Sequence, residues 1–392
     1  MTKYSLASST WGDEEIHAIQ DVVESGRFTM GDRVIEFEEL YSQKIGSKFS
    51  VMVNSGSSAN LALLAACRYR RDPLLKPGDE VLVPAVSWST TFYPVNQLGF
   101  TLKFVDIDAN SLNIDVNKVE AAIGPKTKAI LGVNLLGNLA DWKSLQEIAL
   151  EHKLVLLEDN CESLGATLEG QQAGTFGIGG TFSSFFSHHI STMEGGLITT
   201  NDEPLFHALR SLRAHGWTRD LPPTNHVYNK TGDEWDDLYR FVLPGYNLRP
   251  LEIEAAIGKV QLKKLDSFIK VRRSNGEKFL QYMSGLEGFR VQKENGESSW
   301  FGFSIILEGS LKGKRRALVE ALTVAGIDSR PIVTGNFTRN PVISLLDHAP
   351  IGPLPAADEV HDEGLFVGNH HFDLSKELDL LVDTLSQFKR RF

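Results

Sequence analysis

Short apolar runs alternate with helical patterns through the first two thirds of this 392-residue chain, and this alternation limits the possible folds most strongly. A run of a few apolar residues is typical of a buried β-strand, whereas apolar positions three and four apart indicate a helix. Strands that are apolar on both faces and joined by helices indicate a mainly parallel sheet with helices on both sides. The predicted strands are 51–53, 80–83, 102–106, 129–133, 154–157 and 197–200.

The pattern changes after about residue 260, which predicts two domains. A long helix over 251–282 is followed by only one predicted strand, 300–307. We therefore expect a large domain of residues 1–260, which includes an N-terminal helix, and a smaller α+β domain of residues 261–392. The other predicted helices are 14–25, 61–66, 142–149, 203–213, 314–325 and 374–388.

Charge and composition exclude several classes of function. The net charge of −10 argues against non-specific nucleic-acid binding, which needs a basic surface. The N-terminal residues lack the apolar core of a signal peptide, and no run of 18 apolar residues occurs, so we expect a cytoplasmic protein that binds no membrane. Only Cys67 and Cys161 are present, neither in a CxxC pair, so cysteines alone can form no zinc or iron–sulfur site. We predict no metal.

Two segments at the ends of predicted strands have the character of ligand-binding turns. Gly56 and Ser57 lie where the first strand runs into a helix, and the free N–H groups of such a turn suit a phosphate. An ordinary capped helix has the same pattern. Asp159 follows strand 154–157, where a parallel sheet binds ligands, although a helix cap is the alternative. Trp88 follows strand 80–83 and either stacks on a ligand or packs in the core.

Two adjacent histidines, His188 and His189, precede a Glu-Gly-Gly segment that ends at Gly196. An unperturbed imidazole titrates near neutral pH and can transfer protons. Adjacent side chains rarely point at the same spot, so the pair is not expected to form a metal site. We expect His189 to pack or to face solvent, and His370 and His371 to be structural.

Together these segments resemble the DegT/DnrJ/EryC1/StrS family of pyridoxal 5′-phosphate (PLP) sugar aminotransferases, over nearly the whole chain. The resemblance rests on 55–60, 154–163, 182–196 and 245–250. It implies the aspartate-aminotransferase-like fold (PLP fold type I), with a mainly parallel mixed sheet in the large domain. Cofactor contacts are implied for Gly56, Ser57, Trp88, Asp159, Glu162, Ser183 and Asn247, and substrate contacts for Thr29, His215, Arg219 and Arg330.

Within that list the resemblance implies specific roles. Gly56, Ser57 and Ser183 would bind the cofactor phosphate. Trp88 would stack on the pyridine ring, and Asp159 would keep the ring nitrogen protonated.

Glu162 stands where the family usually has glutamine, beside the cofactor ring. Asn247 corresponds to an asparagine that reaches the phosphate in the neighbouring subunit. The resemblance therefore implies a homodimer whose active sites are shared between subunits.

His188 lies seven residues before Gly195, at the position of the lysine that binds the cofactor covalently in the family. Imidazole has no primary amine, so PLP and its amine form, pyridoxamine phosphate (PMP), would bind non-covalently. The resemblance narrows to 3-dehydratases that remove the C3 hydroxyl of GDP-4-keto-6-deoxy-D-mannose, on the route to colitose in bacterial lipopolysaccharide O-antigen. It implies His188 as the base, L-glutamate as amino donor, and ammonia and 2-oxoglutarate as products.

Three alternatives remain. A nucleotide-sugar aminotransferase could use another lysine as anchor, with Lys153 and Lys230 as the nearest candidates. A catalytically silent homologue could bind nucleotide-sugars. Iron–sulfur radical dehydration is disfavoured because the chain has only two cysteines.

Overall fold

The computed structural model describes residues 2–392. In this part of the chain the helices are α1 (Asp13–Ser25), α2 (Asp32–Ile45), α3 (Gly56–Tyr69), α4 (Ser89–Gln97), α5 (Val116–Ala122), α6 (Trp142–His152), α7 (Glu203–Arg213), α8 (Glu234–Leu238), α9 (Glu252–Met283), α10 (Arg315–Ala325), α11 (Pro355–Glu363) and α12 (Ser375–Lys389). The strands are β1 (Phe49–Val53), β2 (Glu80–Pro84), β3 (Thr101–Val105), β4 (Thr127–Val133), β5 (Val155–Asp159), β6 (Thr167–Leu168), β7 (Gln171–Gln172), β8 (Gly179–Ser183), β9 (Gly196–Thr200), β10 (Phe289–Arg290), β11 (Gly302–Leu307) and β12 (Gly364–Gly368).

The main sheet has seven strands in the order β1-β9-β8-β5-β4-β2-β3. Strands β3, β2, β4, β5 and β8 are parallel to one another, and β9 runs antiparallel to both β8 and β1. The sheet is therefore mixed but mainly parallel, as the sequence predicts. All carboxyl ends of the parallel strands meet at one edge, where residues from distant parts of the chain can form a site.

Helices cover both faces of this sheet because alternate residues of each strand point to opposite sides. Val81 and Val83 pack with α3, α4 and α7 on one face. Leu82 packs with Trp142 of α6 on the other face. Further along that second face, Met52 packs against α2 and α9.

The six strands predicted for the sheet are all present, and their ends differ from the prediction by at most two residues. Strand β8 escapes prediction because Gly179 and Gly180 are poor strand formers. Both are required by close packing, since a Cβ on Gly180 would lie 2.5 Å from the Cα of Gly174. The sequence also gives no indication of helices α2, α4 and α11. Asp159 is the last residue of β5, so the alternative that it caps a helix is wrong.

A smaller antiparallel sheet, β10-β11-β12, packs against α10 and α12 near the C-terminus. Helix α9 contributes to both halves of the molecule. Its Leu262 lies in the core of the large sheet, whereas its Phe279 lies in the core of the small one. The predicted boundary between residues 260 and 261 falls inside this helix, and the division into two domains stays a prediction.

Among the helices of residues 2–392, none combines the length and the apolar character needed to cross a bilayer.

A buried ion pair joins α2 to the main sheet, and we expect it to stabilise the fold. The Glu38 carboxylate accepts the Met52 N–H at 2.7 Å and pairs with the buried Arg213 of α7. Replacing Glu38 with alanine leaves a buried guanidinium unpaired, which costs about 3–5 kcal/mol of the free energy of unfolding. Urea denaturation followed by tryptophan fluorescence measures this loss.

Glu36→Ala is the control, because Glu36 is exposed and its pair with Lys259 is worth about 0–1 kcal/mol. Equal effects of the two substitutions would contradict the prediction.

Candidate active site

A cavity of about 510 Å³ opens at the carboxyl edge of the main sheet. The ends of β4 and β5, the start of α3, the loop after β8 and a segment of the small-sheet region form its walls. The structure brings eight of the predicted site residues to this cavity. These are Gly56, Ser57, Trp88, Asp159, Glu162, Ser183, His188 and Arg330.

Four predicted site residues do not line the cavity: Thr29, His215, Arg219 and Asn247. Three of them lie on backbone segments that pair with one another or with the start of α9. Ala214, beside His215, pairs with Asn247, and Thr29 pairs with Leu251. Arg219 is exposed, and its guanidinium lies over the Trp217 ring. In a single chain none of these four residues therefore contributes to the wall of the cavity.

The N-terminus of α3 has the local structure that the sequence predicts for a phosphate site. Ser55 caps the helix by accepting the Ser58 N–H at 3.0 Å. The N–H groups of Gly56 and Ser57 meet no acceptor within residues 2–392. A Cβ on Gly56 would lie 2.7 Å from the Cβ of Ser183, so only glycine lets the two segments approach this closely. Free N–H groups at a helix start attract anions.

Asp159 is almost completely buried at the end of β5, with 5% of its surface exposed. One carboxylate oxygen, Oδ2, accepts hydrogen bonds of 2.8 Å from both Asn60 and Thr91. The other, Oδ1, accepts the Cys161 N–H at 3.1 Å. These three donors compensate the cost of burying the charge. The carboxylate keeps lone pairs that can accept a proton donor from a ligand.

Trp88 is the residue that precedes α4, and 58% of its surface is exposed at the cavity. A core tryptophan would be covered, so the alternative that Trp88 merely packs in the core is wrong. An exposed indole at a cavity wall offers a flat apolar face for a ring. The neighbouring Thr90 accepts a hydrogen bond from Ser57 at 2.9 Å, which ties α4 to the start of α3.

Glu162 lies in the cavity wall, and its Oε2 accepts the Leu136 N–H at 2.8 Å. Burial raises the pKa of Glu162 to about 7, against the opposing effect of that hydrogen bond, and the charge of Asp159 adds to the rise. At neutral pH this side chain therefore exists in both protonated and ionised forms.

His188 lies between two phenylalanine rings. Its ring centroid is 5.2 Å from that of Phe301 and 6.1 Å from that of Phe185. Its Nδ1 is buried and has no hydrogen-bond partner in the described chain. Burial, and after it the positive charge of Arg272, lower the pKa of His188 to about 4. The imidazole is therefore neutral at physiological pH.

Two further histidines, His189 and His370, pack in the interior. His189 is buried, and its Nε2 forms a 3.1 Å hydrogen bond with the Ser299 carbonyl. It therefore packs in the interior and does not face the cavity. His370 is buried between Ser5 and Ser8 of the N-terminal segment, with hydrogen bonds to both.

Sequence reasoning missed several residues that shape the site. Asn60 and Thr91 orient Asp159, and Phe301 packs against His188. Asn60 lies inside the predicted phosphate segment, which was a usable signal. Phe301 gave no such signal in the sequence. It lies more than a hundred residues from His188, and the two rings meet only because the segment that leads into β11 packs there.

A mainly parallel sheet with a buried carboxylate at its carboxyl edge, beside a free helix N-terminus, agrees with the aspartate-aminotransferase-like class (PLP fold type I) that the sequence predicts. The chain belongs to the DegT/DnrJ/EryC1/StrS aminotransferase family, whose model matches residues 9–385. The predicted family and fold class are thus confirmed.

Individual relatives are more specific. The chain is 51% identical to the GDP-4-keto-6-deoxy-D-mannose 3-dehydratase of Yersinia pseudotuberculosis over 389 residues, 99% of each protein. A solved mutant of GDP-4-keto-6-deoxymannose-3-dehydratase with bound GDP-perosamine is similar with a TM-score of 0.96 and 52% identity, over 98% of this chain and 100% of that one. A structure of that enzyme with a trapped PLP-glutamate geminal diamine has a TM-score of 0.95 and 51% identity over the same shares.

The raised pKa of Glu162 predicts a specific effect on stability. The folded protein holds the proton of this carboxyl up to about pH 7, whereas the unfolded chain releases it near pH 4.3. Glu162 therefore makes the free energy of unfolding fall as pH rises through this window. In Glu162→Gln, which keeps an acceptor for Leu136, that part of the fall should vanish, leaving the variant about 1–3 kcal/mol more stable than wild type at pH 8.

Urea denaturation of cofactor-free protein at pH 5 and pH 8 measures this effect. The control is Glu147→Gln, because Glu147 is exposed on α6. This substitution should change the free energy of unfolding by no more than about 0.5 kcal/mol at either pH. A pH dependence of Glu162→Gln equal to that of wild type would refute the assignment.

Proposed function

We propose that this chain removes the C3 hydroxyl of GDP-4-keto-6-deoxy-D-mannose in a PLP/PMP-dependent reaction that consumes L-glutamate. One observation carries the proposal. The cavity that holds Asp159 and the start of α3 also holds His188, and no lysine of residues 2–392 lines it. A site with these cofactor-binding features but without an amine cannot tether an aldehyde cofactor, yet it retains a base.

The residues of the cavity fit a phosphorylated pyridine cofactor. The unpartnered N–H groups of Gly56 and Ser57 suit a phosphate, and the absence of a Cβ on Gly56 lets Ser183 lie beside the same turn. Asp159 can accept the proton of a pyridinium nitrogen, and Trp88 can stack on the ring. When bound, PMP supplies an amino group for the sugar ketone and a ring that accepts electrons.

His188 would act as the base in both half-reactions. Its buried Nδ1 leaves Nε2 as the nitrogen that can reach a bound molecule. Because its pKa is lowered to about 4, the imidazole needs no prior deprotonation to accept a proton at Nε2. Once protonated, it is a strong enough acid to return the proton. The rings of Phe185 and Phe301 contact the imidazole and supply an apolar surrounding to it.

The lysines considered as alternative anchors lie elsewhere. Lys153 ends α6 at the amino end of β5, opposite the cavity. Lys230 donates a 2.6 Å hydrogen bond to the Leu221 carbonyl. Neither residue lines the cavity, which supports dehydration over transamination of the sugar. The colitose pathway and the cytoplasmic location stay predictions.

A turnover experiment tests the function. The protein is incubated with PLP, L-glutamate and GDP-4-keto-6-deoxy-D-mannose. We expect ammonia, 2-oxoglutarate and a GDP-sugar that has lost one oxygen atom, in equal amounts, measured by enzymatic assay and mass spectrometry. In His188→Asn the rate should fall by about 10²–10⁴, which is the usual contribution of a positioned base.

The control variant is His17→Asn, because His17 is exposed on α1 and outside the cavity. An amino-sugar as the final product would assign the chain to the aminotransferases. Absence of turnover, with GDP-sugar binding retained, would assign it to the catalytically silent homologues. Undiminished turnover in His188→Asn would remove His188 from the mechanism.

We also infer that the chain works as a homodimer in which Asn247 completes the partner's site. Asn247 is exposed and does not line the cavity of its own chain. Phe28 and Leu251 lie on the nearby segments that the Thr29–Leu251 pair joins. They expose about half of their surfaces, at 50% and 46%. An apolar surface beside a functional residue supports contact with a second copy.

A hybrid dimer tests the shared site. His188→Asn and Asn247→Asp should each be inactive as homodimers, the second because a carboxylate repels the cofactor phosphate. In a hybrid of the two, one site combines an intact His188 with an intact Asn247 from the other chain, so activity should return. Tandem affinity tags isolate the hybrid, and size-exclusion chromatography with light scattering measures its mass. No recovery in an isolated hybrid would contradict the inference.

A further inference from the structure

Arg272 is a buried cation without an ion-pair partner. It lies on α9 with 4% of its surface exposed. No carboxylate of residues 2–392 lies within 4.0 Å of its guanidinium. Its Nη1 instead donates to three carbonyls, those of Trp300 at 3.3 Å, Phe301 at 3.4 Å and Asn369 at 2.9 Å. These carbonyls satisfy Nη1, whereas Nε is buried without a partner in the described chain, and the positive charge stays uncompensated.

These hydrogen bonds hold the segment that covers His188. Trp300 has a φ of +50°, a left-handed conformation that is strained for a tryptophan. Arg272 binds its carbonyl from one side, and Asn369 donates to the same carbonyl at 2.9 Å. The conformation directs the next residue, Phe301, against the His188 ring at 5.2 Å. The segment thus links the guanidinium to the imidazole.

The other charged or titratable groups in the walls of the cavity are Asp159, Cys161, Glu162, Glu194 and Arg330, and His189 follows His188 in the chain. Asp159 is engaged by three donors, and Glu162 by Leu136. No carboxylate forms an ion pair with His188 in the described chain. Of these charged groups, Arg272 is the one whose charge lowers the pKa of this imidazole, while Asp159 and Glu162 are engaged by donors of their own.

We propose that Arg272 is a positioning residue for His188. It fixes the strained segment that seats Phe301 on the imidazole, and its uncompensated charge keeps that imidazole unprotonated. The inference deepens the proposed function, on which it rests, because it explains how a base can stay neutral in a cavity that also holds carboxylates. The lowered pKa of His188, of which Arg272 is the second cause after burial, agrees with it.

The neighbouring Arg273 provides a matched comparison. It lies on the same helix and also binds backbone carbonyls of the segment before Trp300, those of Ser298 at 3.1 Å and Glu297 at 3.2 Å. It is half-buried, faces Glu297 at 3.7 Å, and does not contribute to the pKa of His188. Arg273→Gln therefore removes similar hydrogen bonds to backbone carbonyls, but it leaves in place the charge that lowers the pKa of His188.

The test measures the protonation of His188 directly. PMP-loaded protein with ¹⁵N-labelled histidine is titrated by NMR from about pH 5 to pH 8, and the His188 signal is identified by its absence in His188→Asn. In wild type and in Arg273→Gln, His188 should stay neutral across this range. In Arg272→Gln its midpoint should rise by about one to two pH units. Arg272→Lys keeps the charge and should keep the low midpoint.

The dehydration assay gives the second readout. The acidic limb of the kcat/KM profile should move upward in Arg272→Gln by the same amount as the NMR midpoint, and it should not move in Arg273→Gln or Arg272→Lys.

A His188 midpoint unchanged in Arg272→Gln would overturn the proposal, as would an equal rise in Arg273→Gln. Should Arg272→Gln fail to fold, a raised midpoint in Arg272→Lys would overturn it and an unchanged one would support it. The NMR result does not depend on turnover, so a failure of the proposed function is distinguishable from a failure of this inference.

Discussion

The buried carboxylate of Asp159 is the interaction on which the site depends. A charge removed from water at the end of β5 is stable only where donors surround it, and these donors come from three different elements. Asn60 lies on α3, Thr91 on α4, and the Cys161 N–H on the loop that follows β5. Satisfying one carboxylate thus fixes the start of α3, the start of α4 and the strand end relative to one another. The same hydrogen bonds therefore also position the turn at Gly56 and Ser57 and the side chain of Trp88.

A cofactor held without a covalent bond makes different demands on its surroundings. In the proposed function all affinity would come from the turn at Gly56 and Ser57, the exposed indole of Trp88 and the charge of Asp159. His188 would take the position of the amine, and its value as a base would depend on its being neutral. Burial and, after it, the charge of Arg272 lower the pKa of His188, while Glu162 and Asp159 are engaged by donors of their own. The surroundings of the cavity therefore influence the protonation of its central imidazole.

Much of the site could be predicted from the sequence, because its residues follow strand ends or open helices. Gly56, Trp88 and Asp159 occupy such positions, and the chain pattern places these ends at one edge of a parallel sheet. Asn247 and Thr29 lie outside the cavity, because their segments pair with Ala214 and Leu251 and not with the strand ends that form its walls. Phe301 and Arg272 were not predictable. Neither belongs to a motif, and both reach His188 through contacts across more than eighty residues of chain.

The sequence by itself determined the α/β layering, because the apolar periodicity of strands and helices is local. It also determined that no amine stands at position 188. Tertiary structure decided what His188 is chemically, since the pKa of an imidazole depends on burial and on charges that only folding brings near. It likewise decided that Glu162 titrates near neutral pH and that Asn247 faces outward. These properties arise from distances between residues remote in the chain, and local pattern contains no information about such distances.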